Sequence, residues 1–217
     1  MRDILATWLS TLSAEELVEE LLELADHDSG LRLRLELRAA GHTGNVGALR
    51  RAITDLLKTD SRLEYDETED YADDVYQAAE AMESVFTADP GRAAACVSLA
   101  REAFDLVRTA LANADDSDAT IADAARELLF VHLRACQAAD PPPSPVELGT
   151  YLADLILNDS FGITPSLEDY AALLGRDGAL AIQQRITAVH EADPDNVNAR
   201  YLVQRAGTPD AEPPQAQ

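Results

Sequence analysis

The chain has 217 residues, 47% of them hydrophobic and 26% charged, long enough to bury a sizeable core and too apolar for a disordered tail. Lys plus Arg number 17 against 40 Asp plus Glu, a formal net charge of −23, which disfavours a nucleic-acid backbone or an anionic membrane as the main partner. No window approaches a run of about eighteen apolar residues, and MRDILATWLSTLSAEEL lacks the apolar core and cleavage site of a signal peptide, so a soluble cytoplasmic protein is expected.

Nearly every segment has helical apolar spacing, and none alternates like a strand. Residues 3–11 predict a short helix around Ile4, Leu5, Trp8 and Leu9. Ser13-Ala-Glu-Glu16 reads as a capping box; the helix it opens runs to about Ala25, with Leu17, Leu21 and Leu24 on one face. Asp28 caps a third helix, Leu31 to Ala40, which Gly41 ends, and a fourth runs from about Val46 to Lys58. Three long amphipathic helices follow at about 67–87, 91–113 and 118–138, with apolar residues at intervals of three and four. Pro141-Pro142-Pro143 breaks the chain. Shorter helices are expected at about 145–157, 167–174, 177–192 and 195–206. The tail from Gly207 has three prolines and no apolar run, and is expected to be disordered.

Ala-Asp-Pro recurs at 88–90, 139–141 and 192–194, each time at a helix end. The spacing fits helical hairpins stacked as in an α-solenoid, and it also fits the common use of Asp-Pro as a helix stop. The expected fold is all-α: antiparallel hairpins in an irregular, tetratricopeptide-like superhelix over residues 1–206, with a possible subdivision near 141–144.

The string LVEELLELADHDSGLRLRLELRAA (17–40) resembles the helical pair of bacterial proteins that carry a SWIM zinc finger. LRRAI (49–53), the NADDSD turn (113–118) with LLFVHLRAC (128–136), and YAALLGRDGALA (170–181) are similar to the same helical region, so the resemblance spans roughly 13–190. A SWIM finger needs a Cys-x-Cys pair and then a Cys-x-His pair. This chain has neither, so the zinc site and its DNA-binding role are not carried over. The resemblance implies a helical accessory region, standing alone or beside a separately encoded SWIM-type partner, and brings no catalytic residues with it.

Few residues invite chemistry. His132 and Cys136 stand at i and i+4, a spacing able to present two metal ligands, but zinc wants at least about three. Surrounded by Leu128, Leu129, Val131 and Leu133, they read as a buried pair, and Cys96 and Cys136 as buried free thiols. Asp115-Asp116-Ser117-Asp118 lacks the glycine and distal glutamate of a calcium loop, so Asp116 or Ser117 is expected to cap the next helix. There is no phosphate loop, no G-x-S-x-G elbow and no H-E-x-x-H. His27 and His190 suit helix C-termini. No catalytic residue, metal or cofactor is expected.

Charge is uneven. Residues 1–58 carry 7 basic and 10 acidic side chains, net −3; residues 59–130 carry 5 and 18, net −13; residues 131–217 carry 5 and 12, net −7. Within 32–58, Arg32, Arg34, Arg38, Arg50, Arg51 and Lys58 outnumber Glu36 and Asp55. These arginines either pair with the acidic helices inside the molecule or form a docking surface. Glu67, Glu69, Asp70, Asp73 and Asp74 crowd one helix start, where they either suit the helix dipole or edge a partner site.

The expectation is a non-enzymatic interaction module whose acidic surface, built from 67–138, receives a basic protein or peptide segment. The first alternative is an accessory to nucleic-acid transactions docking through 32–58; an enzyme with a cryptic carboxylate site is a more distant one. Adaptation to high salt would also produce an acidic chain, but it would spread the acid evenly.

Overall fold

A computed structural model describes residues 2–207. Among them are ten α-helices and no strand: α1 (Arg2–Leu9), α2 (Ala14–His27), α3 (Ser29–Thr43), α4 (Val46–Leu57), α5 (Thr68–Ala88), α6 (Ala93–Leu111), α7 (Thr120–Ala138), α8 (Pro145–Leu157), α9 (Ala171–Ala192) and α10 (Val197–Gly207). The all-α expectation therefore holds. The only pairing of extended backbone among these residues is an isolated bridge between Leu63 and Ala114, which ties the α4–α5 connection to the end of α6.

The helix ends follow local chemistry. Ser13 and Glu16 form the expected capping box: the Glu16 N–H donates to Ser13 Oγ at 3.2 Å and the Ser13 N–H to Glu16 Oε2 at 2.7 Å. Asp28 Oδ1 accepts from the Leu31 N–H at 3.0 Å. The expected stop at Gly41 is corrected. Gly41 lies inside α3, buried, and a Cβ there would touch Ala81 of α5 at 3.4 Å. Helix α3 runs on to Thr43, and Gly44, at φ +64°, provides the left-handed turn. The three Ala-Asp-Pro strings each follow a helix end, at Ala88, Ala138 and Ala192. Residues 167–170 form turns rather than the start of a helix, and α9 is kinked at Gly175 (φ 51°, ψ −153°), close to the break expected between 174 and 177. The expected disordered tail, from 208 onward, lies outside the described residues, and Gly207 itself ends α10.

Asp116 is the capping residue of α7. Its Oδ1 accepts from the Ile121 N–H at 2.9 Å and its Oδ2 from the Ala122 N–H at 3.0 Å, across a turn that holds Ala119 at φ 58°. Two backbone donors that α7 cannot satisfy itself thus depend on one carboxylate. Asp116→Ala is expected to cost about 1–2 kcal/mol, lowering the thermal midpoint by roughly 4 °C for a domain of this size. An unchanged midpoint would show that the cap is idle.

One apolar cluster runs from Leu37 to Ala199 and is mostly aliphatic. Helices α3 to α7 pack on their sequence neighbours and on their next-but-one neighbours: α3 on α5, α4 on α6, α5 on α7. Helices α8 and α9 form a tight pair, on which α10 rests. Helix α2 packs on α3 and contributes only Ala25 to the buried residues.

Candidate acidic interface

Helix α5 places the acidic residues. Its inner face, Tyr71, Ala72, Val75, Ala78, Ala79 and Met82, is buried, and the Tyr71 hydroxyl donates to the Leu57 carbonyl at 2.9 Å, fastening α5 to the end of α4. At 3.6 residues per turn, Glu69, Asp73, Tyr76 and Glu80 then share the outer face, and all four are exposed. The five carboxylates singled out from sequence are divided by the structure. Glu67 Oε2 accepts from the Glu64 N–H at 2.9 Å and so serves the turn before α5. Asp74 pairs with Arg34 of α3 at 2.8 Å. Burial raises the Asp74 carboxyl above its usual range, and the Arg34 guanidinium offsets this only in part. Glu69, Asp70 and Asp73 are exposed and, among the described residues, have no ion pair. Glu80 completes the row of Glu69 and Asp73; it is not among the five carboxylates singled out from sequence, although its spacing from those two would have found it.

The basic segment is largely engaged internally. Arg32 pairs with Glu36 at 2.9 Å, Arg34 with Asp74 at 2.8 Å, and Arg50 with Glu102 of α6 at 2.5 Å. Lys58 sits 3.4 Å from Asp60. Arg38 and Arg51 have no ion pair among the described residues; each lines a shallow groove beside α3, Arg38 with Glu80 and Arg51 with Glu36 and Asp55. The more exposed of these, Arg32–Glu36 within α3 and Arg50–Glu102 across helices, are each worth only about 0.2–1 kcal/mol. The pairs act on charge placement: Arg34 of α3 and Arg50 of α4 neutralise one carboxylate each on α5 and α6, and the outer row of α5 keeps its carboxylates unpaired, with Arg38 beside Glu80.

The His132–Cys136 pair lies inside the core, at the junction of α6, α7, α8 and the turn before α9. Arg101 Nε donates to His132 Nε2 at 3.0 Å. With that nitrogen accepting, the proton sits on Nδ1, which donates to the Tyr170 hydroxyl at 2.8 Å, and Tyr170 donates to the Leu129 carbonyl at 3.1 Å. The Arg101 guanidinium also lies 4.1 Å over the Tyr151 ring. Burial, and then the Arg101 charge, push His132 down to about 3; burial pushes the Cys136 thiol up to about 12. Both groups are therefore neutral near pH 7, the opposite of an activated thiolate–imidazolium pair. Cys96 is likewise buried, its thiol pushed up to about 11 by desolvation.

A cavity of about 120 Å³ beside this junction, lined by Leu129, Phe130, Leu133, Pro165 and Tyr170, is smaller than the roughly 300–1,000 Å³ of ordinary ligand pockets. Among the described residues, no three His, Cys, Asp or Glu side chains gather closely enough to hold a metal ion. The Asp115–Asp118 cluster is occupied by capping Asp116, by the Ser117–Asp115 bond and by the Tyr65 hydroxyl, which donates to Asp118. No helix among the described residues is long and apolar enough to cross a membrane.

Residues 4–214 match the model of a family of unknown function, DUF6880, and the chain belongs to that family. No curated protein and no solved structure matches it.

Proposed function

We propose that the protein is a non-enzymatic, cytoplasmic interaction module that receives a basic protein or peptide segment on its acidic side. The observation that carries this reading is the outer row of α5: Glu69, Asp73 and Glu80 share a face with exposed Tyr76 without ion pairs, while Arg32, Arg34 and Arg50 are engaged with other carboxylates and only Arg38 stands beside the row, near Glu80. Unpaired carboxylates around a tyrosine attract cationic side chains and offer a ring face to them. The same engagement of Arg32, Arg34 and Arg50 weighs against the nucleic-acid reading, which needs those charges free. The resemblance of residues 13–190 to the helical region of SWIM proteins makes a separately encoded protein of that type one source of the segment.

The test is a fluorescence-anisotropy titration of the full chain with a labelled Arg–Ser repeat peptide. A variant carrying Glu69→Gln, Asp73→Asn and Glu80→Gln is compared with one carrying Glu147→Gln, Glu191→Gln and Asp195→Asn, which removes the same charge elsewhere. Three exposed pairs at about 0.5 kcal/mol each make the first variant bind about tenfold more weakly. The second changes affinity by no more than about twofold. Equal losses would mean diffuse attraction to an acidic chain and would overturn the reading.

A further inference from the structure

Helix α2 is amphipathic, yet its apolar face is left largely uncovered. Leu17, Leu21 and Leu24 form one i, i+4, i+7 row, and Val18, Leu22 and Ala25 form the adjacent row. Only Ala25 is buried, against α3, whereas Val18 is 54%, Leu21 44%, Leu22 61% and Leu24 54% exposed. In α1, Ile4, Leu5 and Trp8 are 76%, 53% and 47% exposed. Seven of the fourteen large hydrophobic side chains exposed among the described residues thus fall within residues 4–24; the other seven are scattered from Tyr65 to Tyr201. Scattered apolar residues are normal on a surface, but a concentration of this kind marks an interaction site.

Charge selects what covers it. Helix α2 carries Glu15, Glu16, Glu19, Glu20, Glu23 and Asp26, with no Lys or Arg. On a helical projection Glu15, Glu19 and Asp26 border the leucine face beside Leu22, and Glu20 borders it beside Leu24. A second copy would bring its own six carboxylates against these, and an anionic lipid surface would meet the same repulsion. Two parallel i, i+4, i+7 rows match the ridges and grooves of another helix. We propose that α2 docks an amphipathic helix from a partner protein, with leucine-type residues against Val18, Leu21, Leu22 and Leu24 and Lys or Arg against the bordering carboxylates. This is helix-in-groove recognition with flanking charge pairs, as in a coiled coil.

The inference rests on the reading of the protein as a receiver of basic segments, but it assigns a surface distinct from the α5 row.

The test is isothermal titration of the full chain with a synthetic Leu/Lys amphipathic helix, and with the same peptide bearing Glu for every Lys. Val18→Gln with Leu22→Gln is the first variant; Glu69→Gln with Asp73→Asn and Glu80→Gln is the second. Both change exposed residues, and circular dichroism checks that helix content is kept. Leu24→Gln, tested alone, replaces the first variant if its helix content falls. The expected result is binding of the Lys peptide only, weakened about tenfold or more in the α2 variant and less than about threefold in the α5 variant. Weakening in the α5 variant alone would overturn this inference and leave the proposed function standing. Failure of the Lys peptide to bind any form would overturn it, as would concentration-dependent dimerisation abolished by the α2 variant, which makes a second copy the occupant.

Discussion

Gly149→Ala is expected to lower the thermal midpoint by roughly 6–12 °C, the equivalent of about 3 kcal/mol in a domain of this length. Helices α8 and α9 cross backbone to backbone at Gly149 and Gly178. A Cβ on Gly149 would lie 2.4 Å from the Gly178 carbonyl oxygen and 3.1 Å from its Cα. Those atoms are backbone and cannot swing aside, so the two helices must separate. Leu148, Leu152, Leu155 and Leu174, buried around the crossing, would then lose contact. Overpacking of a well-filled core costs about 1–3 kcal/mol and occasionally more; a clash with backbone belongs at the upper end. Gly47→Ala provides the contrast. Gly47 is exposed in α4, and its Cβ would meet nothing closer than Asn45 Oδ1 at 3.5 Å. The same chemical change there should stabilise by about 0.5–1 kcal/mol through helix propensity. Equal midpoints for the two variants in thermal unfolding would contradict the close crossing of α8 and α9.

His132 makes the fold acid-sensitive. Its pKa is about 3 in the folded protein, lowered first by burial and then by Arg101, against about 6.5 in an unfolded chain. Between those values the unfolded chain binds a proton that the folded protein refuses. Acidification therefore favours unfolding: stability is lost as pH falls below about 6.5, at about 1.4 kcal/mol per unit, until pH reaches about 3. From pH 7 to pH 5 the loss from this one side chain is about 2 kcal/mol. His132→Gln keeps a polar group between Arg101 and Tyr170 but cannot protonate. It should be less stable than the wild type at pH 7, because the relay from Arg101 to Leu129 is disturbed. It should nonetheless lose about 2 kcal/mol less than the wild type between pH 7 and pH 5. Urea unfolding at both pH values measures this difference. Parallel losses in the two proteins would mean that His132 is not held neutral by the core.

Helix positions were legible where local chemistry decides them. The apolar spacing of α5 to α8, the Ser13–Glu16 box and the Asp28 cap are readable in the chain, and the structure places them where that reading does. Gly41 was not legible, because a glycine after an apolar run ordinarily ends a helix. Here it serves the approach of α3 to α5, and that contact is made by Ala81, forty residues away. The His132–Cys136 pair could be read as buried, but its partners Arg101 and Tyr170 lie 31 and 38 residues distant and come together only through packing.

The acidic surface was legible as charge but not as pairing. Sequence places Asp74 beside Asp73, and only the fold turns Asp74 toward Arg34 and Asp73 toward solvent. Summing charge over residues 1–58 gave −3 and hid the six acids of α2 behind the arginines of α3 and α4. The leucines of α2 were readable as one face, but periodicity says which side of a helix is apolar, not whether a neighbour covers it.

The most direct measurement is amide hydrogen exchange on the full chain, with and without a saturating Leu/Lys amphipathic peptide, and separately with the Arg–Ser repeat peptide and with duplex DNA. A receiver of basic segments should show slowed exchange in residues 14–27 with the Leu/Lys peptide, slowed exchange in residues 68–80 with the Arg–Ser repeat peptide used above, and no change with DNA. Slowing confined to residues 32–58 in the presence of DNA, with no effect of either peptide on α2 or α5, would contradict it.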